Sequence, residues 1–135
     1  MKKNIIAILL ILLLVGCSSN SYSKLNYEKL TKKIDDKESF ILLINDQSEE
    51  GNLLKNTLNK VLKANNLKAY ELNPNKVSAD EKNELRTSFS YENISIIFFK
   101  DGINPSKLSH ITDELTTETE ITNHLKNLGF INSEK

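Results

Sequence analysis

Five consecutive apolar residues, Phe40-Ile41-Leu42-Leu43-Ile44, stand between charged flanks and constrain the fold more than any other feature. A strand with one wet face alternates apolar and polar residues. An unbroken run of this length fits a central strand covered on both faces, as in α/β proteins with helices on either side of the sheet. Ile94 to Phe99 is a second dense apolar run, closed by Lys100-Asp101-Gly102. Asp-Gly after a strand signals a tight hairpin, because both turn residues tolerate positive φ. The returning strand, Ile103 to about His110, contains Pro105 and therefore belongs at a sheet edge.

Helices fill the intervals. Leu25 to Asp36 places Tyr27, Leu30 and Ile34 on one face. After the first run, Asp46 and Ser48 offer capping side chains, and Glu49 and Glu50 stand in the first turn, where acids favour the positive helix end. Leu54, Leu58, Val61 and Leu62 form the buried stripe that follows, with Leu53 beside it. Leu67 to Leu72 reads as a strand ended by Asn73-Pro74-Asn75. Ser78 with Glu81 forms a capping box, and Leu85 and Phe89 continue one face of a third helix. Thr117 with Glu120 is a second capping box, with Ile121, Leu125 and Leu128 behind it and Gly129 as the stop. The predicted order is α-β-α-β-α-β-β-α, an α/β fold with a mixed sheet of about four strands.

The amino terminus is of another kind. Lys2 and Lys3 precede an apolar run, Ile5 to Val15, and Leu14-Val15-Gly16-Cys17 holds the only cysteine. The run is about half the ~20 apolar residues that cross a bilayer. The pattern resembles the lipobox of bacterial lipoproteins, in which signal peptidase II cleaves before the cysteine and its sulfur carries diacylglycerol. The resemblance implies a cleaved signal peptide over residues 1–16, lipid on Cys17, with or without a further N-acyl chain such as palmitate, and the outer face of a bacterial plasma membrane. Acyl chains contribute about 0.8 kcal/mol per buried methylene, so two or three hold a protein firmly. Cys17 is then an anchor rather than a nucleophile. Residues 17–24 read as a lipidated polar tether, 25–130 as one domain and 131–135 as a tail.

Loss of Lys2 and Lys3 would leave two more acidic than basic residues, with Arg86 the single arginine. That near-neutral balance lacks the electrostatic footprint of a nucleic-acid binder. It also supplies no polybasic second membrane signal. The abundance of Asn, Lys and Ile is the composition of an AT-rich genome.

The order of elements resembles a thioredoxin fold lacking its first strand. In thioredoxins a buried strand leads through a short link into Cys-x-x-Cys at a helix start. Here Phe40 to Ile44 is the strand, Asn45-Asp46-Gln47 the link, and Ser48-Glu49-Glu50-Gly51 falls where Cys-x-x-Cys would be. Thioredoxins later carry a cis-proline loop, an apolar strand and a Lys-Asn/Asp-Gly turn, and Asn93 to Gly102 occupies that stretch, with Ile94 at the proline position. Its nearest flavour is the thioredoxin-like proteins of low-GC Gram-positive bacteria, including bacteriocin transport accessory proteins. The departures matter as much as the match. Dithiol exchange needs an attacking thiolate and a resolving thiol, and Ser48 and Gly51 supply neither. A non-proline cis bond at Ile94 would cost about 2.5–4 kcal/mol, so a trans bond is expected.

These substitutions predict a redox-inactive protein that is not an enzyme. Ser48 as an acyl-transfer nucleophile would need a base beside it, and His110 and His124 are expected away from it, His124 on the polar side of the last helix. Asp46, Glu49 and Glu50 read as a solvated helix start, since divalent cations want several converging oxygens. No metal and no cofactor beyond the lipid is expected. The acids of residues 112–118 read as a loop and cap, and Tyr22, Tyr27, Tyr70 and Tyr91 as packing or surface residues. Thioredoxins bind clients as extended peptides in the groove between the motif loop and the cis-proline loop. The resemblance places that groove at Asp46, Gln47, Ser48, Glu49, Asn93 and Ile94, available for non-covalent contact with a protein or peptide. The alternatives are a structural subunit of a membrane complex and an enzyme with an unrecognised site.

Overall fold

A computed structural model describes residues 21–89, 93–109 and 116–133. Cys17, the signal segment, Tyr91, His110 and the acids of residues 112–115 lie outside the described residues. Among the described residues five strands form one mixed sheet in the order β1-β3-β2-β4-β5: β1 is Tyr22–Lys24, β2 Phe40–Asn45, β3 Ala69–Leu72, β4 Ile94–Lys100 and β5 Ile103–Ser109. Strands β1, β3 and β2 are parallel, while β4 and β5 run antiparallel to their neighbours. Among the described residues three helices connect strands, α1 (Tyr27–Asp35), α2 (Glu49–Ala64) and α3 (Ala79–Phe89), a fourth, α4 (Glu118–Asn127), follows β5, and one 3₁₀ turn lies at Pro74–Lys76.

The sheet has one strand more than the sequence predicts. Tyr22 to Lys24, expected within the tether, is β1 and pairs with Ala69 to Glu71 of β3. Its entry is fixed by a hydrogen bond from the Ala69 N–H to the Ser21 carbonyl (2.8 Å), and its exit by one from the Leu25 N–H to the Glu71 carbonyl (2.8 Å). The sheet therefore includes Tyr22 to Lys24, upstream of residue 25. Strand β3 begins at Ala69, two residues later than predicted. Asn66 turns the chain with φ 53°, and the Leu67 N–H is still bonded back to the Leu62 carbonyl.

Strand parity explains the unbroken apolar run. Ile41 and Leu43 of β2, with Ile96 and Phe98 of β4, pack against Leu54, Leu58, Val61 and Leu62 of α2 and Ile121 and Leu125 of α4. Phe40, Leu42 and Ile44, with Ile97 and Phe99, pack against Leu30 of α1 and Leu85 of α3. Helices thus cover both faces of the sheet, so neither set of alternate β2 positions meets water. Cross-strand register keeps each set together: Ile41 faces Phe98, Leu42 faces Ile97 and Leu43 faces Ile96.

Helix starts follow the sequence signals. Asn26 Oδ1 accepts from the Lys29 N–H and caps α1. Both arms of the Ser78–Glu81 and Thr117–Glu120 capping boxes are formed. Among the described residues no helix is long and apolar enough to cross a membrane.

Candidate functional site

The carboxyl ends of β1, β3 and β2 and the first residue of β4 share one end of the sheet. Asn45 pairs with Ile94 there, which brings the loop of Asp46, Gln47, Ser48 and Glu49 to the same end as Asn93 and Ile94. Ile94 is half-buried against the core on the α2–α4 face, whereas Asn93 and Glu49 are exposed. Among the described residues there is no cis peptide bond.

Three side chains shape the loop in succession. Asn45 Oδ1 accepts from the Gln47 N–H (2.9 Å), Asp46 Oδ1 from the Ser48 N–H (2.9 Å), and Ser48 Oγ from the Gly51 N–H (3.1 Å). Gln47 sits at φ 68°, a conformation tolerated because both neighbouring amides are held. Ser48 is the N-cap of α2, and its hydroxyl oxygen satisfies a donor that the helix cannot reach. Ser48→Ala is expected to cost about 1 kcal/mol of stability, and Ser48→Asn only a fraction of that. Thermal denaturation of the two variants checks it; equal loss in both would contradict the capping role.

Gly51 is buried, and the space beside it is occupied. A Cβ at that position would overlap Asn45 Oδ1 and stand 3.1 Å from Asp46 Oδ1. Asn45, read from sequence as the start of a link, is instead the fully buried last residue of β2. Its Nδ2 donates to Asn52 Oδ1 and to Glu71 Oε2, each at 3.3 Å.

Glu71 is the residue that sequence reasoning missed. In Ala-Tyr-Glu-Leu it looks like an outward position of a half-wet strand, yet it is only 7% exposed. Lys55 of α2 supplies its counter-charge at 2.8 Å. The same ammonium lies 5.2 Å from the centre of the Tyr22 ring, and the Tyr22 hydroxyl donates to the Lys55 carbonyl (2.8 Å). Burial, and secondarily the Glu71 charge, pushes the Tyr22 phenol well above its usual pKa. Tyr22 therefore holds the network as a neutral donor.

A crevice of about 740 Å³ opens over this end of the sheet, between the starts of α1 and α3 on one side and Gln47 and Lys55 on the other. Tyr27 lies on its wall and donates to Glu84 (2.5 Å). That hydrogen bond, then burial and the charges of Glu84 and Glu81, raises the Tyr27 pKa from 10.0 to about 12. The folded state thus holds the proton more tightly than the unfolded state. The contribution of this hydrogen bond to stability is whole below about pH 10 and is lost as pH rises from there toward 12. Urea denaturation across that window should show Tyr27→Phe declining less than wild type.

His124, expected on a polar face, stacks on Phe98 with ring centres 5.8 Å apart and planes 9° from parallel. Phe98 pairs with Ile41, four residues before Asn45, so His124 sits lower along the sheet than Ser48. Among the described residues no three His, Cys, Asp or Glu side chains are grouped as metal ligands.

Solved structures with this arrangement share one architecture. A protein described as an oxidoreductase with a thioredoxin fold superposes with a TM-score of 0.62 over 76% of this chain and 92% of its own, at 13% identity. Thioredoxin O2 from Arabidopsis thaliana superposes with a TM-score of 0.60, at 9% identity, over 81% of this chain and 95% of its own. The fold is that of thioredoxin. Desulfothioredoxin from Desulfovibrio vulgaris Hildenborough matches with a TM-score of 0.51 and 15% identity, covering 68% of this chain and 83% of its own. No protein-family model matches the sequence, and no curated protein matches it. In this thioredoxin fold, the positions that the resemblance assigns to the two motif cysteines hold a capping hydroxyl, Ser48, and a glycine packed under a buried amide, Gly51.

Proposed function

We propose that this protein is a lipid-anchored binding module with a thioredoxin fold, redox-inactive and carried on the outer face of a bacterial plasma membrane. The observation that supports it most is at Gly51, where Asn45 Oδ1 fills the volume that a resolving thiol would need. Ser48 offers a hydroxyl already engaged by the Gly51 N–H. Thiol-disulfide exchange has no reactive group at either position, whereas the loop remains able to meet a partner through Gln47, Glu49 and Asn93. The resemblance to bacteriocin transport accessory proteins makes an exported peptide, or the apparatus that exports it or confers immunity to it, the partner class of choice. Anchoring rests on the lipobox at Cys17.

In-cell photo-crosslinking tests the binding role. A probe at Gln47 should trap a discrete partner that a probe at Lys126 on α4 does not. Capture from Lys126 alone would move function to the helical face and favour a structural subunit. Anchoring is tested separately: Cys17→Ala should abolish incorporation of labelled palmitate and release the protein from membranes. Turnover of insulin disulfides by the purified wild-type protein would overturn redox inactivity.

A further inference from the structure

The chain enters the sheet at one particular end. Strands β1, β3 and β2 are parallel and begin side by side, at Tyr22, Ala69 and Phe40. Strand β4 finishes beside Phe40, and β5 starts from the same turn, with Lys100 opposite Ile103. This end is therefore opposite the loop of Asp46 to Glu49. Cys17 precedes Ser21 by four residues, which reach at most about 14 Å. An anchor on Cys17 thus keeps this end of the sheet at the membrane surface. Ile103 belongs to the far edge strand, four strand spacings or about 19 Å across the sheet from the β1 entry.

The surface between those two points is apolar at its far edge and basic along its length. Ile103 is 69% exposed, more than any other large apolar side chain among the described residues. A lone exposed isoleucine is ordinary on a protein surface, but this one marks the edge farthest from the tether. Lys68 stands just before β3, Lys37 in the α1–β2 connection, Lys63 in the last turn of α2 and Lys100 at the end of β4. All four are exposed, and none makes an ion pair among the described residues. Of the acids at this end, Asp36 and Glu38 are paired with Lys32 and Lys33, which leaves Asp35 and Asp101. The sequence has no basic run here; the topology gathers lysines from separate segments.

We propose that this end of the domain seats on anionic lipid headgroups, with Ile103 entering the headgroup boundary and Lys37, Lys63, Lys68 and Lys100 meeting the phosphates. The inference rests on the anchoring reading above, because the tether is what brings this end to the surface. Basic side chains are drawn to an anionic bilayer over about a Debye length, roughly 8–10 Å, so the shortness of the tether matters. An apolar side chain flanked by lysines is the chemistry of an interfacial contact. Lipid at the β1 edge and Ile103 at the β5 edge together fix the tilt of the sheet. The six residues of β2 span about 20 Å. The loop of Asp46 to Glu49 is then held at about that height and faces away from the bilayer, open to a partner.

The chain contains no tryptophan, so Ile103→Trp and Glu50→Trp each supply a single fluorescent reporter, at opposite ends of the sheet. Cys17 is the only cysteine, and coupling the full unlipidated chain through its thiol to maleimide-bearing vesicles provides the anchor chemically. The result then does not depend on lipidation in the cell, which palmitate labelling of Cys17 tests by itself. On vesicles rich in phosphatidylglycerol, the Ile103→Trp emission should shift to the blue and be quenched by brominated lipid. Glu50→Trp should show neither change. Adding Lys68→Glu and Lys100→Glu to Ile103→Trp should remove most of the quenching, as should replacing phosphatidylglycerol by phosphatidylcholine. Unquenched Ile103→Trp, or equal quenching of the two reporters, would overturn the proposal. Quenching as strong on phosphatidylcholine as on phosphatidylglycerol would overturn the part assigned to the lysines.

Discussion

Gly51→Ala is expected to destabilise the domain by about 2–3 kcal/mol, although glycine to alanine inside a helix ordinarily gains roughly 0.5–1 kcal/mol. The sign reverses because the added methyl would overlap Asn45 Oδ1. A flexible side chain could swing aside, but Asn45 is fully buried and tied to the Gln47 N–H, Asn52 and Glu71. Moving it gives up hydrogen bonds worth about 0.5–1.5 kcal/mol each, on top of an overpacking cost of about 1–3 kcal/mol. The midpoint of thermal unfolding should fall by on the order of 10 °C. Asn45→Ala removes the obstacle at its own cost, so the double variant should be markedly more stable than the two single losses added together. Strict additivity in urea denaturation would show that the two residues do not compete for this space. The same conflict bears on chemistry. Ser48→Cys with Gly51→Cys should give no insulin reduction while Asn45 is present, because the second thiol has no room in the folded helix.

That conflict also shows where the sequence could be read and where it could not. Signals contained within a few residues were legible. The run Phe40 to Ile44 announced a strand covered on both faces, and the Ser78–Glu81 and Thr117–Glu120 pairs marked helix starts that the structure closes with both hydrogen bonds. Asp101-Gly102 gave the hairpin, and Pro105 sent β5 to the edge. What escaped was made by partners distant in sequence. Tyr22-Ser23-Lys24 has one apolar residue and becomes a strand only because β3, some 47 residues on, lends it a hydrogen-bonding edge. Glu71 alternates with apolar neighbours as a surface residue would, and its burial depends on Lys55 reaching it from α2. Asn45 looks like linker until the carboxamide is seen beneath Gly51. His124 stacks on Phe98, a contact between elements that the helical pattern does not display. The redox positions Ser48 and Gly51 could be identified by order alone, but the reason Gly51 is glycine could not.

At the opposite end of the sheet, Gly102→Ala is expected to be the most damaging single-methyl change, costing roughly 3–4 kcal/mol. Two independent effects combine there. Gly102 adopts φ +76° in the β4–β5 turn, a conformation that costs an L-residue about 1–2 kcal/mol. A Cβ would also stand 2.5 Å from the Ile34 carbonyl oxygen and 3.1 Å from Lys37 Cα. Both are backbone atoms, so no rotamer change relieves the contact, and overpacking of this kind costs about 1–3 kcal/mol. The hairpin is seated against the α1–β2 connection by hydrogen bonds from the Gly102 N–H to the Glu38 carbonyl (3.0 Å) and from the Asp101 N–H to Ser39 Oγ (3.0 Å). Pushing the turn away breaks both. Gly129 separates the two effects, since it shares φ +76° but among the described residues a Cβ there would meet only the Lys100 Nζ, at 3.9 Å. Gly129→Ala should therefore cost only the backbone strain, about 1–2 kcal/mol. Equal losses for the two alanines in urea denaturation would mean that the hairpin does not press on the α1–β2 connection. A larger loss at Gly102 measures that contact directly.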